Sequence, residues 1–187
     1  MVMMKTPLLA LVLLTACGDD PVNYSAPVGI ELKAKSGDVT NGNAINEEKG
    51  ITTESGNPYG AFVTAAKAKL GHDPSEIEID KVTLTLNIAK STGVSAMEQV
   101  ITGNTTVQFI MNDTNDPFTV AHFASPTGVG PVDGSVDFDW SQVGGDNVAK
   151  MMAGSFKVAM AAMPATDFAT KGAEASLTVT FTFTAFE

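Results

Sequence analysis

Apolar and polar residues alternate along most of the chain from Val28 onward, the period-2 pattern of strands with one buried and one solvated face. In 81–90, Val82, Leu84, Leu86 and Ile88 share one side and Thr83, Thr85 and Asn87 the other. Near the C-terminus, Leu177, Val179, Phe181 and Phe183 alternate with Thr178, Thr180, Thr182 and Thr184. Threonine suits the open face because it is β-branched and pairs across a ladder. The same alternation marks 28–35, 105–111, 118–124, 135–140 and 154–162, most of them bounded by glycine, proline, asparagine or aspartate. About seven such strands, with turn residues between them, predict a mainly β fold built as an antiparallel β-sandwich.

One segment departs from this period. Residues 58–70 place Tyr59, Phe62, Val63, Ala66 and Leu70 on a helical stripe. Asn57 is a fitting N-cap, Pro58 takes the first helical position and Gly71 lies just past the end. The expectation is an immunoglobulin-like or similar sandwich over 28–187, with one short helix that plugs an end or covers an edge. Residues 36–57 are rich in glycine, asparagine and charge, which predicts a long loop.

The first residues follow a different logic. Lys5 precedes an unbroken apolar run over 8–14, the charged and hydrophobic regions of a secretory leader. That run falls short of the ~18–20 residues a membrane-spanning helix needs. It ends in Leu14-Thr15-Ala16-Cys17, and Cys17 is the sole cysteine of the chain. This tetrapeptide resembles the lipobox of bacterial lipoproteins. The resemblance implies cleavage of 1–16, acylation of the Cys17 thiol with a diacylglyceryl group of the palmitate type, and commonly a further acyl chain on the new amino terminus. Each buried CH₂ contributes ~0.8 kcal/mol, so several chains hold a protein durably without a protein span. In such lipoproteins an aspartate directly after the cysteine often signals inner-membrane retention. Here Gly18 occupies that place and Asp19 and Asp20 follow, which favours the outer membrane where the host has one. Residues 17–27, with Pro21 and Pro27, read as a tether.

Charge narrows the partners. All 11 cationic residues are lysine, set against 21 carboxylates, and loss of Lys5 with the leader takes the net charge from −10 to −11. Arginine, the preferred bidentate reader of phosphate and carboxylate, is absent, and no basic patch appears. Nucleic acid is therefore not an expected partner, and an anionic bilayer repels the body. A single cysteine committed to lipid leaves no intramolecular disulfide.

The side chains able to do chemistry have plainer explanations beside the sharper ones. His72 follows the helix-ending Gly71, and His122 shares its expected strand face with Phe118 and Val120. Neither lies in a nucleophile motif. Asp133, Asp137, Asp139 and Asp146 invite a calcium reading, yet Asp137 and Asp139 alternate with Val136, Phe138 and Trp140, as carboxylates on a solvated strand face do. The better calcium candidate is the acidic turn over 112–117, with Asp113 and Asp116, although asparagine, aspartate and proline also serve turns as such. Met151, Met152, Met160 and Met163 match no thioether motif for copper and read as core. Trp140, Tyr24 and Tyr59 are too few for a carbohydrate platform. No catalytic residue, no cofactor beyond the lipid on Cys17 and no confident metal ligand is assigned. The expected role is a non-enzymatic, lipid-anchored envelope protein that recognises or assembles with a protein partner. A glycan, small-ligand or calcium module using the end loops is the alternative, and an enzyme ranks third.

Overall fold

The computed structural model describes residues 22–39, 45–140 and 143–187. Its elements in chain order are β1 (Asn23–Lys35), β2 (Ile45–Ile51), α1 (Pro58–Leu70), β3 (Glu76–Leu86), β4 (Ile101–Met111), β5 (Pro117–Phe123), β6 (Val132–Asp133), β7 (Ser135–Val136), α2 (Gly145–Met152), β8 (Phe156–Pro164) and β9 (Glu174–Phe186). They form two sheets, one ordered β1-β9-β3-β6 and the other β2-β8-β4-β5-β7. The strand pairs are antiparallel, so the fold is mainly β and consistent with a β-sandwich.

The C-terminal alternation produces the centre of the first sheet. β9 pairs along its whole length with β1 and from Leu177 to Phe186 with β3, and Leu177, Val179, Phe181 and Phe183 are buried while Thr178, Thr180 and Thr182 remain half-exposed. Facing them from the second sheet, Val107, Phe109, Val158 and Met160 complete the core, with Phe109 against Phe181 at 5.3 Å between ring centroids. Burying each of these side chains contributes roughly 1.5–3 kcal/mol.

Both helices cap the same end, the one at which β1 begins. Asn57 accepts the Tyr59 N–H at 3.0 Å, and Gly71 ends α1 in a left-handed conformation, as the capping residues predict. Tyr59 and Phe62 reach Phe183 of the first sheet, and Tyr59 also meets Phe156 of the second edge-on, so α1 plugs the gap between the sheets. The opposite end carries the longer connections, at 87–100, 124–131 and 165–173.

Several expectations are corrected. β1 starts at Asn23, paired with Phe186, so 23–27 belong to the sheet instead of to a tether. Pro27 is tolerated there because β1 is an edge strand and needs no donor on its outer side. Strand β2 lies inside the segment expected to be a loop. A second helix, α2, occupies 145–152. The strand expected over 81–90 ends at Leu86, and Ile88 turns outward in a short 3-10 turn, 49 % exposed. The strand expected over 135–140 shrinks to two residue pairs. Val132–Asp133 pair with β3 and Ser135–Val136 with β5, so this segment crosses from one sheet to the other at Gly134. A side chain at Gly134 would meet a Phe123 ring carbon at 2.8 Å, so the crossing requires glycine.

Candidate functional site

Cys17 lies outside the described residues. The acidic turn over 112–117 joins β4 to β5 at the helix-bearing end. There the Asp113 carboxylate takes the Lys150 ammonium at 2.7 Å, and Lys150 is positioned by α2. The ammonium holds the Asp113 carboxyl below the usual carboxylate range. Asp116 closes the turn by its main chain, its carbonyl accepting the Met111 N–H at 3.1 Å. The two carboxylates thus have separate tasks, one as an ion-pair partner and one as a turn residue. Among the described residues no group of three or more His, Cys, Asp or Glu side chains could hold a metal ion.

His122 does not share a face with Val120. The β4–β5 register shifts between Val107 and Gln108, leaving Val120 as an extra residue on β5. Such a bulge reverses the side-chain parity beyond it. Ala121 and Phe123 therefore point inward and His122 faces solvent. Its Nδ1 lies 3.2 Å from Thr106 Oγ1 and its Nε2 3.4 Å from Asp137 Oδ2. The three groups lie in line across β4, β5 and the residue after β7, on an open sheet face. His72 sits apart from it, just past the C-terminus of α1, with Nε2 3.9 Å from the Glu187 carboxylate. Met151 and Met160 are buried, whereas Met163 is 53 % exposed, so the methionines do not converge.

The concavity with the strongest chemical character lies elsewhere, along the seam between the two sheets. Among the described residues β1 and β2 are edge strands, each paired on one side only. Between them runs a groove of about 610 Å³, lined by Gly29 to Lys33 on β1 and Glu47 to Ile51 on β2 and closed at one end by Asn57 and Pro58. That volume falls within the range of ligand sites, roughly 300–1,000 Å³. The opposite seam is bridged by the crossing segment at Gly134.

The sequence of β2 determines the groove's polarity. Ile45, Glu47, Lys49 and Ile51 pair with Ala162, Met160, Val158 and Phe156, all buried, so the four share the inward-facing parity. Ile45 and Ile51 are buried, while Glu47 and Lys49 occupy the mouth of the seam between them. Glu47 is half-buried, and burial, aided by the nearby Asp38, pushes its carboxyl above the ordinary carboxylate value. Its outward neighbour Glu48 pairs with Lys157 at 2.9 Å, and Glu31 on the facing strand pairs with Lys90. Among the described residues neither Glu47 nor Lys49 has an ion-pair partner within 4 Å. Sequence reading passed over both because they replace the apolar residues that strand alternation demands. The available signal was the spacing of Ile45 and Ile51, six residues apart on one parity.

No family model, curated protein or solved structure matches the chain.

Proposed function

We propose that this chain is a lipid-anchored protein of the bacterial cell envelope whose β-sandwich serves recognition of a protein partner and not catalysis. The observation that carries the reading is the tetrapeptide ending in Cys17, preceded by a basic and apolar leader. The start of β1 at Asn23 supports a close anchor. Six residue steps separate Cys17 from Asn23, a reach of at most roughly 20 Å at ~3.3 Å per residue. Under this reading the helix-bearing end stands next to the bilayer and the longer connections at the other end face away. The acidic body keeps the domain off an anionic surface, so the lipid supplies the attachment.

Within this reading the Thr106–His122–Asp137 line ties the crossing segment to β5. It stands on an open sheet face that does not enclose a substrate. The experiment is metabolic labelling with an alkyne-tagged palmitate. The wild-type chain should incorporate label and Cys17→Ser should lose it and become extractable without detergent. Labelling that persists in the serine variant overturns the anchor. The recognition role is tested by photo-crosslinking in cells from Ser95, in the outward connection 87–100. A discrete larger species supports a partner, and monomer alone rejects it.

A further inference from the structure

We infer that the trough along the β1–β2 seam binds a small linear zwitterion, a free solute with an ammonium at one end and a carboxylate at the other, joined by a short methylene chain. This goes beyond the recognition role above and does not depend on it. The Cα atoms of β1 and β2 approach within 8 Å at several positions, so the groove runs along the flank of the sandwich as a trough and not as a gap. Its volume of about 610 Å³ suits a small molecule. Ile30 and Ile51 line it and also line the apolar space beneath, which Phe181 and Phe183 share, so the middle of the trough has an apolar floor.

Charge selects the occupant, because the two ends of the trough differ in sign. At one end Glu47 is half-buried without an ion-pair partner among the described residues, and the nearby Asp38 adds negative charge that Lys35 only partly opposes. Lys49, equally unpaired, lies two residues closer to the end that Asn57 and Pro58 close. There α1 begins, with no acidic residue in its first turn, and its N-terminus adds positive potential. The other charged residues of the lining, Glu31, Lys33 and Glu48, are engaged by Lys90, Glu174 and Lys157. A cation alone would satisfy Glu47 and be repelled by Lys49, and an anion alone would do the reverse. A zwitterion satisfies both, with its ammonium at Glu47 and its carboxylate at Lys49. Two residues of strand separate these groups by roughly 7 Å, which calls for several methylenes between the charges. Gly29, the first β1 residue in the lining, follows the strand start at Asn23 by roughly 20 Å, so a trough on the flank takes a free solute and not a lipid headgroup at the anchored end.

The test is calorimetric titration of the full chain in detergent with three probes of matched length, δ-aminovalerate, glutarate and cadaverine, and with glycine as a zwitterion whose charges lie too close together. Screened ion pairs of this exposure change affinity by up to about fivefold each. δ-Aminovalerate should therefore bind saturably and about fivefold more tightly than any of the other three. Glu47→Lys should transfer the preference to glutarate and Lys49→Glu to cadaverine. The two changes combined should return it to δ-aminovalerate, which a merely structural role for either residue would not produce. Glu47→Gln, a milder change, should weaken δ-aminovalerate severalfold, and Glu48→Gln should leave it unaltered. Hydrogen exchange should show slowed amides within 45–51 on addition of δ-aminovalerate. Absence of saturable binding, equal affinity for the matched probes, or a preference indifferent to positions 47 and 49 overturns the site. Protection confined to other segments does so as well. In vesicles of phosphatidylethanolamine the affinity for δ-aminovalerate should equal that in detergent. Its loss there would assign the trough to a lipid headgroup and overturn the free solute.

Discussion

The Tyr59 hydroxyl donates to the main-chain carbonyl of Met151 at 3.0 Å, joining the first turn of α1 to the last turn of α2 across the capped end of the sandwich. The ring is buried against Phe156 and Phe183, and burial pushes the phenol well above its ordinary value, so it stays a donor throughout the accessible pH range. Tyr59→Phe keeps the ring packing and removes one of two hydrogen bonds on the Met151 carbonyl, which also accepts the Gly154 N–H at 2.9 Å. The expected cost is about 0.5–1.5 kcal/mol, read as a lower urea midpoint at unchanged slope. An unchanged midpoint would mean that the two helices are held by packing alone.

Gly60, the next residue of α1, makes a prediction whose sign separates packing from propensity. Glycine to alanine within a helix ordinarily gains about 1 kcal/mol. Here a side-chain carbon would lie 2.7 Å from the carbonyl carbon and oxygen of Thr53, in the segment that leads from β2 to α1. Backbone must move to admit it, and overpacking costs roughly 1–3 kcal/mol. Gly60→Ala should therefore lower the melting temperature, whereas Gly37→Ala, with open space around it, should not.

The success and failure of sequence reading follow from how local each signal is. The helix over 58–70 was legible to the residue because Asn57, Pro58 and Gly71 each act within one turn of it. β9 was legible because its inward face is apolar from Leu177 to Phe183, although Thr184, expected to face outward, is buried with its hydroxyl donating to Asp80. β2 was not, because Glu47 and Lys49 sit at the inward parity of an edge strand, where alternation stops being a guide to burial. His122 was placed on the wrong face because a single extra residue, Val120, reverses parity, and nothing in the composition of 117–123 announces a bulge. The groove between β1 and β2 depends on strand order, which periodicity does not encode.

The pairing of Asp113 with Lys150 gives an acid-side prediction. The carboxyl is held below its ordinary value by the ammonium, so the native state releases that proton more readily than the unfolded chain. The contribution is present above the ordinary carboxylate range and is lost as the pH falls through the lowered value. Asp113→Asn should therefore reduce stability near neutrality and narrow its difference from wild type under strongly acidic conditions. Thermal melts from pH 7 downward check this. A gap that widens in acid contradicts the pairing. Lys150→Met should reproduce the effect, because either change dissolves the same bond.

Glu47 carries the opposite sign. Its carboxyl is raised by burial at the seam and by Asp38, with Lys35 opposing, so the folded state binds the proton more tightly than the unfolded chain does. Stability then declines as the pH rises through the interval above 4.5, the ordinary value. Solvent screens this half-exposed group, so the effect on stability stays within about 0.5 kcal/mol. Glu47→Gln removes the ionisation and should be slightly more stable than wild type at pH 7 and no different below pH ~4. Glu48→Gln, which breaks the pair with Lys157, should show no such gain. The comparison requires only denaturant titrations of the two variants at both pH values. If Glu47→Gln proves less stable at neutral pH, the ionised carboxylate is being stabilised at the seam, and burial does not decide the direction of the Glu47 shift.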